Sequence, residues 1–278
     1  MRSMTSATTY SELMAWNTDD DELLRLQALE AMCDESTKFH LGKAGVKDGA
    51  RCLEVGGGGG SIMHWLCDQV GAKGTVVSVD IDGRFMTSVP NNCEFRQVSV
   101  VDGDIGDGYD VIHTRNVLAH ISERDAVINR LADHLAPGGV LLCEEPLYGY
   151  WSPGVEPLRG EDAETLDNHI REALEFFLFF EMDLKTFGLR MPRLMSDQGL
   201  EDVTAELRAP LLGGAGNPGN EFALRVKNVF DLGVAQGALT AEGVERAFGI
   251  IDDPAQFEFG MAFVSAYGRR PTDSITLP

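Results

Sequence analysis

Three groups of residues have the types and spacing for chemistry. The first is Glu54-x-Gly56-x-Gly58-x-Gly60, part of a run of five glycines that precedes Ile62, Trp65, Leu66 and Val70 at helical spacing. Glycine adopts positive φ readily and lets a ligand press against bare backbone. A helix following such a turn directs N–H groups and partial positive charge at the ligand, so an anion or a carboxylate suits the place. The second is Asp80, 20 residues beyond Gly60 at the end of the run Thr75-Val76-Val77-Ser78-Val79. A carboxylate there can accept two hydrogen bonds from a ribose diol. The third comprises His113, His120 and the adjacent Glu144 and Glu145, side chains able to take or give a proton.

The elements that must position these residues follow from the apolar pattern. Leu53 and Val55 end a buried strand, and Thr75–Val79 is a second. Phe95–Val101, Tyr109–His113 and Val140–Cys143 read as strands three to five. Val127, Ile128, Leu131 and Leu135 mark one face of a helix that Ser122-x-x-Asp125 opens with capping-box spacing. Strands and helices alternate from residue 50 to 145, which predicts an α/β fold with a parallel sheet covered on both faces. The polar residues stand at the strands' C-terminal ends, the edge where open α/β sheets bind ligands. Before this core, Leu23 to Met32 predicts one helix and Ser36 to Ala44 a second. After it, Leu200–Leu207 reads as a sixth strand and Phe257–Tyr267 as the last, with helices over 221–236 and 240–250 and a loop over 213–219. Four segments result: an N-terminal helical cap (1–48), the ligand-binding core (49–146), a helical segment (147–195) and the C-terminal part of the sheet (196–278).

The dinucleotide fingerprint fails here, because its third glycine falls on Ser61 counted from Gly56 and on Ile62 counted from Gly57. Glu54-x-Gly56-x-Gly58-x-Gly60 instead resembles motif I of the class I S-adenosylmethionine (SAM) dependent methyltransferases. The stretch Tyr109–His120 and the Leu135-x-Pro137-Gly138-Gly139 turn are similar to later parts of the same pattern. The resemblance is strong over 51–145 and weak over 196–268. It implies a doubly wound, mostly parallel seven-stranded sheet of the Rossmann-like methyltransferase type, its last strand antiparallel. N-terminal helices and a helical lid inserted after strand five would complete it. It implies SAM as cofactor, with Glu54 near the amino group, Gly56, Gly58 and Gly60 along homocysteine and ribose, and Asp80 on the ribose beside Ile81. Ser99 and Val100 stand where the family usually has an adenine-binding aspartate, and His113 and Arg115 line the donor from strand four. Tyr10 and Trp16 are pocket candidates under the cap.

The implied reaction is methyl transfer to O, N or C of a small-molecule acceptor. Glu145 is the first candidate for the catalytic group, with His120 and Glu144 behind it. No Asn-Pro-Pro-Tyr, Asp-Pro-Pro-Tyr or Pro-Cys sequence occurs, which argues against adenine, glutamine and cytosine C5 methylation. No metal-binding triad is apparent. A protein of this fold that holds SAM without transferring its methyl is the alternative reading.

The 278 residues carry a net charge of −21. The sequence pI near 4.5 disfavours a nucleic-acid partner, which needs a basic footprint, and disfavours an acidic membrane surface. The five cysteines are odd in number and contain no C-x-x-C pair, against a disulfide framework or a zinc site. No basic-then-apolar leader and no membrane-length apolar run is visible, so a cytoplasmic location is expected. The apolar stretch 165–188 is the candidate contact for a homo-oligomer.

Overall fold

The computed structural model describes residues 18–147, 172, 182–213, 216–253, 257–259 and 262–272. The expected lid, the oligomer helix over 165–188, the aromatic residues at 148–151, and Tyr10 and Trp16 lie largely or wholly outside the described residues. The chain divides into two compact units: residues 33–146, 186–208 and 263–278 form one, and residues 1–32, 147–185 and 209–262 the other. The four consecutive segments read from the sequence cut the chain elsewhere: 33–48 and 186–195 cluster with the sheet, and 209–262 with the other unit.

In the sheet-bearing unit the elements run α1 (Asp19–Ala44, contributing from Cys33 onward), β1 (Arg51–Val55), α2 (Ser61–Val70), β2 (Thr75–Asp80), β3 (Cys93–Gln97) and β4 (Tyr109–Arg115). They continue with α3 (Arg124–Asp133), β5 (Leu135–Leu147), α4 (Phe187–Asp197), β6 (Glu201–Arg208) and, after two strands of the other unit, β9 (Ala262–Arg269). The seven strands lie in the order β3-β2-β1-β4-β5-β9-β6. β1 pairs parallel with β2 and β4, β2 with β3 and β4 with β5, whereas β6 and β9 are antiparallel. This is the doubly wound, mostly parallel seven-stranded sheet expected. The central strands read as near-continuous apolar runs because helices cover both faces. β3 and β6, at the two edges, keep more exposed residues. On one face Ile62, Met63, Leu66 and Val70 of α2 pack with Leu41, Cys52, Val76, Val111 and Leu142 into one buried cluster.

Several local expectations are corrected. α1 is a single helix, since nothing between Asp19 and Leu41 is glycine or proline and the helix runs until Gly45 takes a φ of 103°. β3 starts at Cys93 and ends at Gln97: the Val98 N–H bonds Arg96 O (3.1 Å), so Ser99 and Val100 follow the strand in a turn. The Ser122 capping box does not form, and the Ser122 hydroxyl bonds Glu123 instead (2.7 Å). α4 carries buried Phe187, Met191 and Met195, holds Pro192 within it and runs two residues past the end of the helical segment read from the sequence.

The other unit holds α5 (Pro218–Arg225), α6 (Lys227–Ala235) and α7 (Ala241–Asp252), with a short antiparallel pair of β7 (Leu211–Gly213) and β8 (Phe257–Phe259). The expected single strand over 257–267 is thus two strands in two sheets, and the expected helix over 221–236 is broken at Val226. Asn217 caps α5 through Gly219 N–H (2.8 Å) and Thr240 caps α7 through Gly243 N–H (3.1 Å). Leu239, Val244 and Phe248 form this unit's core with Leu224, Phe230 and Val234 packed against it. Among the described residues no helix is long and apolar enough to cross a membrane.

Leu66 is fully buried in the face between α2 and the sheet. Leu66→Ala is expected to lower the unfolding free energy by about 2–5 kcal/mol, lost burial plus a cavity. The midpoint of a urea titration measures it.

Candidate cofactor and active site

The glycine loop joins β1 to α2. Gly56, Gly58 and Gly60 have φ of 77°, 53° and 94°, the three alternate positions singled out by the sequence pattern. These are left-handed conformations that L side chains rarely adopt. A Cβ on Gly56 would overlap Val117, and one on Gly57 would stand 2.6 Å from Ser78 Oγ. The loop therefore lies directly against the ends of β2 and β4. Asp80 holds it from below: Oδ2 accepts Gly58 N–H and Oδ1 accepts Asp82 N–H, both at 3.0 Å. Burial raises the Asp80 pKa, while the N–H donors of Asp82 and Gly58 pull it back down. Ile81 beside it is half-exposed and apolar.

Beneath the loop, Glu54, His113 and Glu144 meet across three adjacent strands. The His113 ring donates from Nδ1 to Glu54 Oε2 (2.6 Å) and from Nε2 to Glu144 Oε2 (3.2 Å). Glu144 Oε1 accepts from Ser265 Oγ (2.6 Å), and Thr37 donates to the same carboxylate. The register explains the meeting, because β1 and β4 pair Glu54 with His113, and β4 and β5 pair His113 with Leu142 and Arg115 with Glu144. Burial alone disfavours the imidazolium, yet the two glutamates outweigh it and hold the His113 pKa up at about 9. Burial likewise disfavours the Glu144 carboxylate, and the bonds from His113, Ser265 and Thr37 overcome that to bring it down to about 2.

Arg115 extends this network. Its Nη1 donates to Asp34 Oδ1 (3.0 Å) and Thr37 Oγ1 (2.9 Å) of α1, and Asp34 Oδ1 also accepts from Ser61 Oγ (3.1 Å) at the start of α2. His113 and Arg115, expected to line a ligand, are thus enclosed in a polar network that ties β1, β4, β5, α1 and α2 together.

Glu145 faces another way. Its fully buried carboxylate accepts N–H from Val117 (3.2 Å), Leu118 (2.8 Å) and Ala119 (3.2 Å), capping the single 3-10 turn Leu118–His120 after β4. Burial raises its pKa to about 7 against the pull of those donors. His120, the last residue of the turn, is half-buried. Ser99 Oγ accepts Val101 N–H (3.1 Å), and Val100 is buried.

Asn116 was passed over as a site residue. It takes a φ of 55°, and neither its amide oxygen nor its amide nitrogen, both buried, has a hydrogen-bond partner. Asparagine directly after a strand was its only sequence signal. The hydroxyls of Ser78 and Thr114 are also buried without partners. Asp34, Thr37 and Ser265 were missed because their partners lie far away in the chain and no local spacing marks them.

The profile of the methyltransferase-domain family matches residues 24–201. The chain belongs to this family. It is similar to the methyltransferase str2 of Strobilurus tenacellus, 25% identical over 223 residues that cover 71% of this chain and 78% of that protein. Its fold is similar to that of a Haemonchus contortus phosphoethanolamine N-methyltransferase 2, with a TM-score of 0.59 at 14% identity, covering 95% of this chain and 60% of that one. It also resembles the [4+2]-cyclase SpnF, with a TM-score of 0.52 at 15% identity over 86% of this chain and 81% of that one.

A methyltransferase of this class uses SAM, and the residues at the sheet edge fit that molecule. At 56 and 57 the loop backbone packs so closely on Val117 and Ser78 that only glycine fits, which leaves bare backbone at the ligand edge. Asp80 keeps lone pairs beyond those that accept the Gly58 and Asp82 N–H groups. The buried amide of Asn116 offers one acceptor and two donors at the same edge.

The His113 contribution to stability has a defined pH course. Its folded pKa is above the ordinary 6.5, so the contribution is complete below about pH 6.5 and disappears as pH rises through about 9. Read as the stability difference between wild type and His113→Gln in urea titrations, it is expected to shrink over that interval. It amounts to about 3 kcal/mol at its largest. A pH-independent difference would show that the imidazolium is not what binds the strands. Glu145→Gln places an amide among three N–H donors and is expected to cost about 1–3 kcal/mol of stability, measured by the same titration.

Proposed function

We propose that this chain transfers a methyl group from SAM to an oxygen, nitrogen or carbon atom of a small-molecule acceptor. The observation that carries the site assignment is the Gly58 N–H bonded to Asp80. It joins the left-handed glycine loop to the one carboxylate suited to a ribose diol. Gly56, Gly58 and Gly60 would follow the homocysteine and ribose, Asp80 would accept the ribose hydroxyls, and Ile81 and Val100 would flank the adenine with Ser99 at its edge. Bound SAM supplies an electrophilic methyl on its sulfonium.

The protein's part is then alignment, since holding donor and acceptor in line provides much of the rate. Glu54 takes its place through the His113 bond, which orients its carboxylate from below the loop. Asn116 stands where β4 ends against the loop and can fix a polar group of either ligand. Glu144 and Glu145 have their oxygens committed, to His113 and Ser265 in one case and to the 3-10 turn in the other. That shifts the assignment of the proton-accepting group to His120, carried by the turn that Glu145 caps. It is needed only where the acceptor arrives protonated. The net charge of −21 supports an acceptor other than nucleic acid.

Calorimetric titration with SAM and with NAD tests the donor. SAM is expected to bind and NAD not to. Gly58→Val is expected to abolish SAM binding, because valine does not tolerate a φ of 53°. Asp80→Ala is expected to weaken SAM by about 1–3 kcal/mol, the scale for losing hydrogen bonds to a charged group. SAM affinity unchanged in both variants would remove the loop from the site. Transfer itself is read as S-adenosylhomocysteine formed with a panel of phenol, amine and activated-carbon acceptors. SAM binding without that product across the panel would favour a cofactor held but not consumed. With an accepted substrate, His120→Gln should lower kcat at unchanged SAM affinity, and wild-type kcat would leave alignment alone as the source of rate.

A further inference from the structure

Asn116 directly follows β4, and its backbone is gripped on both sides. Its N–H bonds Glu144 O (2.9 Å), which continues the β4–β5 pairing by one residue. The next three N–H groups, of Val117, Leu118 and Ala119, all go to the Glu145 carboxylate. Asn116 itself is held in the left-handed region, at a φ of 55°, where asparagine is among the few L residues found regularly. The backbone thus explains the residue type but not the placing of its side chain. An asparagine chosen for its φ alone can turn its amide to water or bond its own backbone. Here the amide oxygen and nitrogen are both buried, and neither has a hydrogen-bond partner among the described residues. A buried amide left unpaired is costly, so this one points to a ligand that pairs with it. The Ser78 and Thr114 hydroxyls are also buried without partners, but both residues are completely enclosed within strands. Asn116 is only partly enclosed and stands at the sheet edge, where a ligand can reach it.

We propose that the Asn116 amide recognises the methyl acceptor, and that this molecule presents to it an uncharged group with a hydrogen-bond donor and acceptor side by side, a carboxamide or a lactam. The proposal deepens the methyl-transfer reading and rests on it. Under that reading the polar groups of SAM have other partners: Glu54 for the amino group, Asp80 for the ribose diol, and the N–H groups at the start of α2 for the carboxylate. Asn116 and His120 instead bracket the single turn Leu118–His120, whose backbone Glu145 holds. The group that takes a proton from the acceptor and the group that orients it then stand on one fixed segment. The amide sets the ligand class by its inventory, one carbonyl oxygen that accepts and two N–H groups that donate. A carboxamide or lactam pairs with it through two parallel hydrogen bonds. An ammonium only donates and a carboxylate only accepts, so each leaves one side of the buried amide unmet.

The test compares the full chain with Asn116→Asp and Asn116→Gly, two substitutions that tolerate a left-handed φ, each checked for folding by circular dichroism. S-adenosylhomocysteine affinity is measured by calorimetry and is expected to be the same in all three. The loaded proteins are then titrated near neutral pH with benzamide, benzoate and benzylammonium, and affinities are read by ligand-observed NMR. The wild type is expected to bind benzamide about tenfold more tightly than either charged probe, the scale of one hydrogen bond left unmade. Asn116→Asp keeps the size of the side chain but offers acceptors only, so its preference should pass to benzylammonium. Asn116→Gly should bind the three probes alike. A residue that merely shapes the turn would leave the preference of Asn116→Asp where it was. That result, equal binding of the probes to the wild type, or S-adenosylhomocysteine affinity that falls in Asn116→Gly would each overturn the proposal while leaving cofactor binding by the wild type intact. Failure of the wild type to bind S-adenosylhomocysteine would instead overturn the methyl-transfer reading, and the proposal with it.

Discussion

A single buried imidazolium holds the central strands in the arrangement the site requires. His113 is completely enclosed, and it bridges Glu54 of β1 to Glu144 of β5. Three ionisable groups in one core are costly unless each satisfies the others. Here the geometry does so, because parallel pairing sets Glu54 opposite His113 and places Glu144 two residues beyond His113's partner Leu142 on the same face of β5. The charge of Glu54 is met from below, so its position under the glycine loop does not depend on a ligand. Ser265 of β9 and Thr37 of α1 also donate to Glu144, which extends the same constraint to the antiparallel strand and the N-terminal helix.

Arg115 carries this order to the loop's far side. By binding Asp34, which also receives Ser61 Oγ, it joins the end of β4 to the first residue of α2. The glycine loop is thus fastened at three points: to β2 through Asp80, to β4 through the packing of Val117 on Gly56, and to α1 through Ser61. A loop without side chains has high conformational entropy when free. These contacts from neighbouring elements fix it before any ligand arrives, and preorganisation of that kind lowers the cost of binding.

The fold was legible in the sequence wherever a short-range pattern determined it. Strand–glycine–helix order, period-3.6 apolar residues in α2, and the acidic end of β2 are all local signals, and each has its expected place. The φ values of Gly56, Gly58 and Gly60 agree with the alternate positions of the motif. Legibility failed where the deciding contact was distant. Glu144 and Glu145 looked alike as carboxylates at a strand end, yet their fates depend on His113, Ser265 and the 3-10 turn, none of which is near them in sequence. The end of β3 was misplaced because Phe95–Val101 is apolar enough to continue, while the backbone turns at Val98. Asn116 carried too little local pattern to stand out, and only its left-handed φ and unpartnered amide mark it.

The adjacent glutamates also show how one strand end supports two different structures. Successive strand residues point to opposite faces. Glu144 therefore reaches into the sheet's polar row, whereas Glu145 meets the backbone that leaves β4. Its carboxylate gathers three N–H groups of that backbone, which turns the chain immediately after Asn116 and sets where His120 stands. The chemistry of this edge is divided accordingly. The glutamates fix the shape, and under the proposed function the loop's backbone, Asp80, the Asn116 amide and the imidazole at the end of the turn would meet the ligands. On that assignment Glu145 would serve the site through the turn it holds in place, because its oxygens are bonded to the Val117, Leu118 and Ala119 N–H groups.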